Sequence, residues 1–291
     1  MSTCITLLLI LCTTTELPTP EELLAKATEA LGGEAIASSN IEATWSLAKA
    51  KPDTTEEISV KVSLQSYEFK VTRGKGNLSL YHTTDFDWMQ LPAHTNIPAV
   101  RITRDRLYQW DPIAQPHLEL LCAWERRPER RTLGLIMRGD EACYRVRLAG
   151  TTDETRIPNG AEFMYLSVVT GLPVAHESAA NMRTGSRRIT EFVDWESVGE
   201  IKMPKKLILT AMNEKIRTAT RTTAAVLEVP LVIEVPQRVK DAKNPNHVFA
   251  PDGPSILGGA QETAEPPQPN SEPEVAPVKD SATQDDSSNN S

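Results

Sequence analysis

Histidine beside a carboxylate is the pairing from which zinc sites and general bases are built. His176-Glu177 is the one place where this chain sets the two side by side. A zincin helix needs a second histidine at 180, and that position is alanine. The pair also follows a strand pattern rather than a helical one, so it reads as a surface pair at a strand end. Asp85-Phe86-Asp87 has a spacing that suits a divalent cation, but no further acids stand close by to complete a shell. Gly74-Lys75-Gly76 is too short for a phosphate loop. The five histidines are scattered, and none neighbours a Gly-x-Ser-x-Gly or similar nucleophile motif. Asn77-Leu78-Ser79 is a glycosylation sequon in a eukaryotic secretory pathway and otherwise ordinary strand residues. The densest basic run, Arg126-Arg127-Pro128-Glu129-Arg130-Arg131, reads as a solvated loop, with a docking patch for anionic headgroups or an acidic partner as the alternative. These residues predict no enzyme, no metal and no cofactor.

The elements that would position such groups are mostly strands. Ile58, Val60, Val62 and Leu64 alternate with polar residues, the period of a half-buried strand. Ile41 to Ala48, Tyr67 to Val71, Leu78 to Tyr81 and Asp85 to Pro92 extend the pattern. From Phe163 to Met212 four strands follow in a row, turned at Thr170-Gly171 and Val198-Gly199-Glu200, with Ile189, Val193 and Trp195 on one face. Thr132 to Met137 and Ala142 to Leu148 form a further hairpin, and Ile216 to Val235 supplies one or two last strands. Strands so regularly spaced without intervening helices predict an antiparallel meander. Two helical segments interrupt it. Thr19-Pro20-Glu21-Glu22 carries an N-cap, an early proline and first-turn acids, and Gly32-Gly33 stops that helix. Arg101 to Arg131 reads as a helical insert over the open side of the sheet, with Leu118, Leu121 and Cys122 at helical spacing and Pro128 ending it.

Net charge is −8, and residues 251–291 carry eight acids against one lysine. The remainder is close to neutral, without the basic field that nucleic acid requires. That acidic, Pro- and Ser-rich stretch is too poor in large aliphatics to offset chain entropy and is expected to be a disordered tail. Residues 1–16 form an expected export segment around the apolar run Ile5 to Cys12, which is shorter than the ~20 residues a membrane span takes. A lipid anchor on Cys12 and a plain N-terminal segment are the alternatives. Residues 17–250 make one domain. Cys122 and Cys143 can pair if the protein is exported, or Cys143 can simply face the core.

Several of these stretches resemble the LolA-like superfamily of outer-membrane lipoprotein-sorting proteins. Glu162-Phe163-Met164-Tyr165-Leu166 followed by Thr170-Gly171-Leu172-Pro173-Val174 is similar to its "strand, TGLP, return strand" unit. Phe192-Val193-Asp194-Trp195 with Val198-Gly199-Glu200-Ile201-Lys202-Met203-Pro204 resembles the unit that follows, except that Val-Gly-Glu stands where Val-Asp-Gly is usual. Arg138 to Val146 resembles the preceding strand, and Val248-Phe249-Ala250-Pro251 the closing motif. The resemblance implies an envelope protein that shields acyl groups, in which an arginine links sheet to helical lid. Arg73, Arg101 and Arg104 are candidates for that arginine.

The expected fold is therefore α+β, mainly antiparallel β: a curved half-barrel sheet with helices covering its concave face. A half-barrel leaves one concave apolar face, for which Trp45, Val60, Val62, Leu64, Phe69, Leu80, Trp88, Met89, Trp110 and Met137 are the candidate ligand-binding residues. About fifteen methylenes of an acyl chain are worth roughly 12 kcal/mol gross on burial. The expected function is a non-enzymatic carrier or sensor of lipid or acylated lipoprotein. It would be monomeric and periplasmic or otherwise in the envelope, with a membrane-associated partner and no nucleic acid. The alternative is an exported structural or interaction domain with a self-filled core.

Overall fold

The computed structural model describes residues 16–48, 55–73, 76–90, 99–107, 110–150, 160–179, 187–211 and 214–243. The export segment, the tail, the closing Val248 to Pro251 motif and the Gly74-Lys75 turn lie outside these residues. Helix α1 (Pro20–Leu31) begins with a capping box: Thr19 Oγ1 accepts from the Glu22 amide, and Glu22 accepts from the Thr19 amide at 2.7 Å. It leads through Gly32 into the short helix α2 (Glu34–Ser38). Strands β1 (Ile41–Ala48), β2 (Thr55–Ser63), β3 (Ser66–Arg73), β4 (Gly76–His82), β5 (Asp87–Gln90) and β6 (Val100–Arg101) follow. Three short helices come next: α3 (Arg104–Leu107), α4 (Asp111–Ala114) and α5 (Glu119–Arg126). The chain then returns to strand in β7 (Glu129–Arg138), β8 (Glu141–Ala149), β9 (Glu162–Ser167), β10 (Pro173–Glu177), β11 (Arg188–Val198), β12 (Ile201–Ala211) and β13 (Glu214–Val226), and α6 (Gln237–Asp241) packs by β6.

All the strands join one antiparallel sheet in the order β6-β5-β4-β3-β2-β1-β13-β12-β11-β10-β9-β8-β7. Its edges, β6 and β7, are not paired with each other, so the sheet is open. The insert α3–α5 runs from one edge strand to the other and must cross an open face. Its side chains show which face and how strongly the sheet curls. On a flat sheet β3 and β9, seven strand spacings apart, would be about 34 Å from each other. Yet Tyr67 of β3 hydrogen-bonds Asp111 of α4, and Arg126 of α5 touches both Asp111 and Glu162 of β9. One insert side chain thus spans the concavity, and the sheet wraps around the helices as an α+β half-barrel.

One strand boundary moves, and two further local features take definite form. β7 starts at Glu129, not at Thr132, because Arg130 and Arg131 pair across to Leu148 and Arg147. Of the one or two last strands expected over Ile216 to Val235, the structure has one, β13, which ends at Val226. The Gly199-Glu200 turn is a two-residue hairpin loop closed by Val198 opposite Ile201, with Gly199 at φ 60° supplying the left-handed residue such a turn needs.

Candidate functional site

Strand register decides which side chains share the concave face. Trp45 lies opposite Ile58, Ala43 opposite Val60, Val60 opposite Phe69, and Phe69 opposite Leu80, which faces Met89. From above, Trp110 tilts against Phe69 with ring centroids 4.9 Å apart, and Ile113, Leu118 and Leu120 complete the layer. Seven of the ten candidate residues are therefore brought together under the insert: Trp45, Val60, Val62, Phe69, Leu80, Met89 and Trp110, all buried. Among the described residues this concavity is occupied by the protein's own side chains.

The other three sit elsewhere. Trp88 precedes Met89 in β5, and neighbours on a strand point to opposite faces. Trp88 is therefore on the outer face, stacked on Tyr81 at 4.8 Å. Leu64 lies in the β2–β3 turn, only partly buried. Met137 stands near the end of edge strand β7, 60% exposed. It belongs to an apolar strip with Leu133, Leu135 and Ile136.

Between helices and sheet runs a buried polar network. Asp111 accepts from Tyr67 Oη at 3.0 Å and from Arg104 Nη2 at 2.6 Å. Arg126 reaches Asp111 at 3.5 Å, Glu119 at 3.0 Å and Glu162 at 3.5 Å. Arg127 donates from Nε to Glu162 at 2.8 Å and from Nη1 to the Gly150 carbonyl at 2.8 Å. His176 bridges two carboxylates, Glu119 at 3.1 Å and Glu162 at 2.9 Å. Two sequence expectations fail here. His176 is buried on the inner face of β10 rather than at the surface, because it lies opposite Met164 and Thr190. Arg126 and Arg127 are buried ion-pair members rather than part of a solvated loop or docking patch, and Arg130 lies over the Trp124 ring.

Burial opposes the charged forms of His176, Glu162 and Asp111, and their partners decide the outcome. For His176, desolvation pulls its pKa down, but Glu119 and Glu162 together raise it to about 9. Burial pushes Glu162 up, while Arg126, His176 and Arg127 overcome it and hold the carboxylate well below its ordinary range. Asp111 goes the other way: burial keeps it above the usual carboxylate range despite Arg104 and Arg126. A histidine protonated between two carboxylates is a cationic staple at neutral pH, not a general base. Asp87 of the Asp-x-Asp pair is taken by His82 at 2.6 Å. Among the described residues no cluster of three or more His, Cys, Asp or Glu side chains is arranged to hold a metal ion. Both Cys122 and Cys143 are free thiols, so the contemplated disulfide is absent; Cys143 packs against Tyr165 and Ala175 on the outer face.

Asp111, Glu119, Glu162, His176, Arg126 and Arg127 were not legible as a group. A signal existed for one of them. Glu162 occupies an inward position in phase with Met164 and Leu166, where a lone acid demands a buried partner.

An open antiparallel sheet wrapped around a helical insert defines the class. Compared by sequence, the chain matches no protein-family model and no curated protein. Compared by structure, it has the fold of the LolA superfamily. A LolA superfamily protein of Nitrosomonas europaea superposes with a TM-score of 0.56 at 12% identity, covering 74% of this chain and 96% of that one. A domain of the outer membrane lipoprotein-sorting kind from Vibrio parahaemolyticus gives 0.50 at 14%, covering 71% and 92%. A DUF1329 family protein from Desulfovibrio piger gives 0.51 at 11%, covering 73% and 94%.

Proposed function

We propose that this chain is a non-enzymatic carrier or sensor of the cell envelope that takes an acyl chain of a lipid or lipoprotein between its sheet and its helical insert. The supporting observation is how the concave face is covered. Trp45, Phe69, Leu80 and Met89 are met by three short helices tethered at the two sheet edges, not by a second sheet. Such a layer can separate from the sheet without breaking a strand ladder. An acyl chain would then replace the insert's apolar contacts. The fold shared with lipoprotein-sorting proteins agrees with this reading. No described helix is long and apolar enough to cross a membrane.

The experiment is native mass spectrometry of protein purified from its own envelope, followed by uptake of a fluorescent fatty acid by delipidated protein. Co-purifying lipid and saturable uptake support the carrier. Protein that is empty and takes up nothing refutes it.

One observation favours the second reading, an interaction domain with a self-filled core. Edge strand β7 presents Leu133, Leu135, Ile136 and Met137 to solvent, and an apolar edge is a place where a partner's strand can add to the sheet. Under that reading Leu135→Lys abolishes partner capture from an envelope extract and leaves acyl uptake at zero in both proteins.

A further inference from the structure

The charged groups of the concave face have partners, but several neutral ones do not. Trp45 Nε1, Trp110 Nε1 and both ring nitrogens of His117 are buried without a hydrogen-bond partner among the described residues. Leaving such a group unpaired is costly, and a native interior contains few of them. Here they fall in one region. Trp110 and His117 stand at the two ends of the segment containing α4, which packs on β2 and β3. Trp45 lies opposite Arg221 in the β1–β13 register, and Arg221 is also the charged neighbour that His117 senses. Burial, helped by that arginine, lowers the His117 pKa to about 3, so the ring is neutral and has one donor and one acceptor. Arg221 itself is engaged by Glu196 at 2.9 Å.

Trp45, Trp110 and His117 together offer three N–H donors and one acceptor, all uncharged, set in an apolar face. A carboxylate would call for a free cation, and a pure hydrocarbon would leave all four groups unsatisfied. We propose that Trp45, Trp110 and His117 form a polar subsite for the ester carbonyls of an acylated ligand, at the head end of the chain-binding face. This inference rests on the carrier reading. The same ester chemistry occurs in a neutral diacylglycerol and in the diacylated N-terminus of a lipoprotein.

The test compares equilibrium uptake of dioleoylglycerol, a synthetic diacylated lipopeptide, oleic acid and octadecene by the delipidated full chain. The variants are Trp45→Phe, which removes the N–H together with part of the indole and leaves an aromatic ring in place, and His117→Leu. Wild type is expected to favour the two esters over octadecene by about tenfold or more, and each variant to lose about five- to tenfold of that preference while octadecene uptake is unchanged. Thermal melts identify any variant that fails to fold; in Trp45→Phe the loss of an unpaired donor is set against the cavity that a smaller ring leaves, and unchanged octadecene uptake shows that the apolar face is intact. Preference for diacylglycerol or for lipopeptide tells the two sources apart. Equal uptake of esters and octadecene, or an ester preference that both variants retain, overturns the subsite and leaves the carrier standing. A wild type that takes up none of the four probes removes both.

Discussion

His176 offers the sharpest test of how the helical insert is held to the sheet. Its ring bridges Glu119 of α5 and Glu162 of β9, and its pKa rises from an ordinary value of 6.5 to about 9. A group whose folded pKa is raised adds stability that is complete below the unfolded value and disappears as pH climbs through the folded one. Between those values the native state holds a proton that the unfolded chain has lost, so stability must fall as pH rises from 6.5 towards 9. The gap corresponds to about 3 kcal/mol. Glu162 works in the opposite direction: its lowered pKa adds stability above its ordinary value of 4.5 that is lost as pH falls below it. The staple is therefore strongest between about pH 4.5 and 6.5. Urea titrations of wild type and His176→Gln at pH 6 and pH 9.5 read this directly. With a slope of about 3 kcal/mol per molar, the variant's midpoint should lie about 1 M below wild type at pH 6, and most of that difference should vanish at pH 9.5. Parallel pH profiles for the two proteins would refute the assignment of a buried, protonated His176.

Two further predictions concern the junction after α1 and the thiols. Gly32→Ala should lower stability by about 2 kcal/mol or more in a thermal melt, because Gly32 sits at φ 132° and a Cβ there would come within 2.8 Å of the Glu200 carbonyl. Gly33→Ala meets open space, but at φ 59° and ψ −130° its backbone lies outside the left-handed helical well, so it should still cost about 1–3 kcal/mol. In a Cys4→Ser, Cys12→Ser background, Cys122 and Cys143 should remain unreactive to a thiol reagent at pH 8 until the chain is unfolded. Burial raises Cys122 to about 12 and Cys143 to about 11, and a non-reducing gel should show no shift on reduction.

Most of the sheet could be read from alternation, because Ile58, Val60 and Val62 or Met164 and Leu166 report their face through a period of two. The same rule shows why Trp88 and Met89 could not both line the concavity. What the sequence concealed was any relation carried by long separations. Tyr67 and Asp111 are 44 residues apart, and Arg127 and Glu162 are 35 apart. Nothing local marks either pair. Arg126 and Arg127 look like surface charge beside Glu129, Arg130 and Arg131, and only the curl of the sheet brings Glu162 beneath them. His176 looked peripheral because its pair with Glu177 stands at the end of a strand pattern, yet within β10 it lies opposite Met164. The β7 boundary slipped for a related reason: two arginines resemble a loop until a neighbouring strand pairs with them.

The polar network and the apolar face also make different demands on an opening motion. Apart from what protonation of His176 adds below its folded pKa, buried ion pairs contribute little net stability, since charges released to water recover the hydration they had lost. Lifting α5 from Glu162 and His176 therefore costs less than the number of contacts suggests. Exposing Trp45, Phe69, Leu80 and Met89 is the larger penalty, at about 1.5–3 kcal/mol for each large side chain. An acyl chain laid on those residues offsets that term, whereas a polar solute cannot. Under the proposed carrier function, opening would be coupled to the arrival of apolar cargo: the charges would fix where the insert sits when closed, and the apolar face would determine what can take its place. Lengthening the chain of a bound fatty acid should accordingly tighten binding by up to about 0.8 kcal/mol per methylene until the concave face is covered, and no further. A binding constant independent of chain length from eight to sixteen carbons would contradict that coupling.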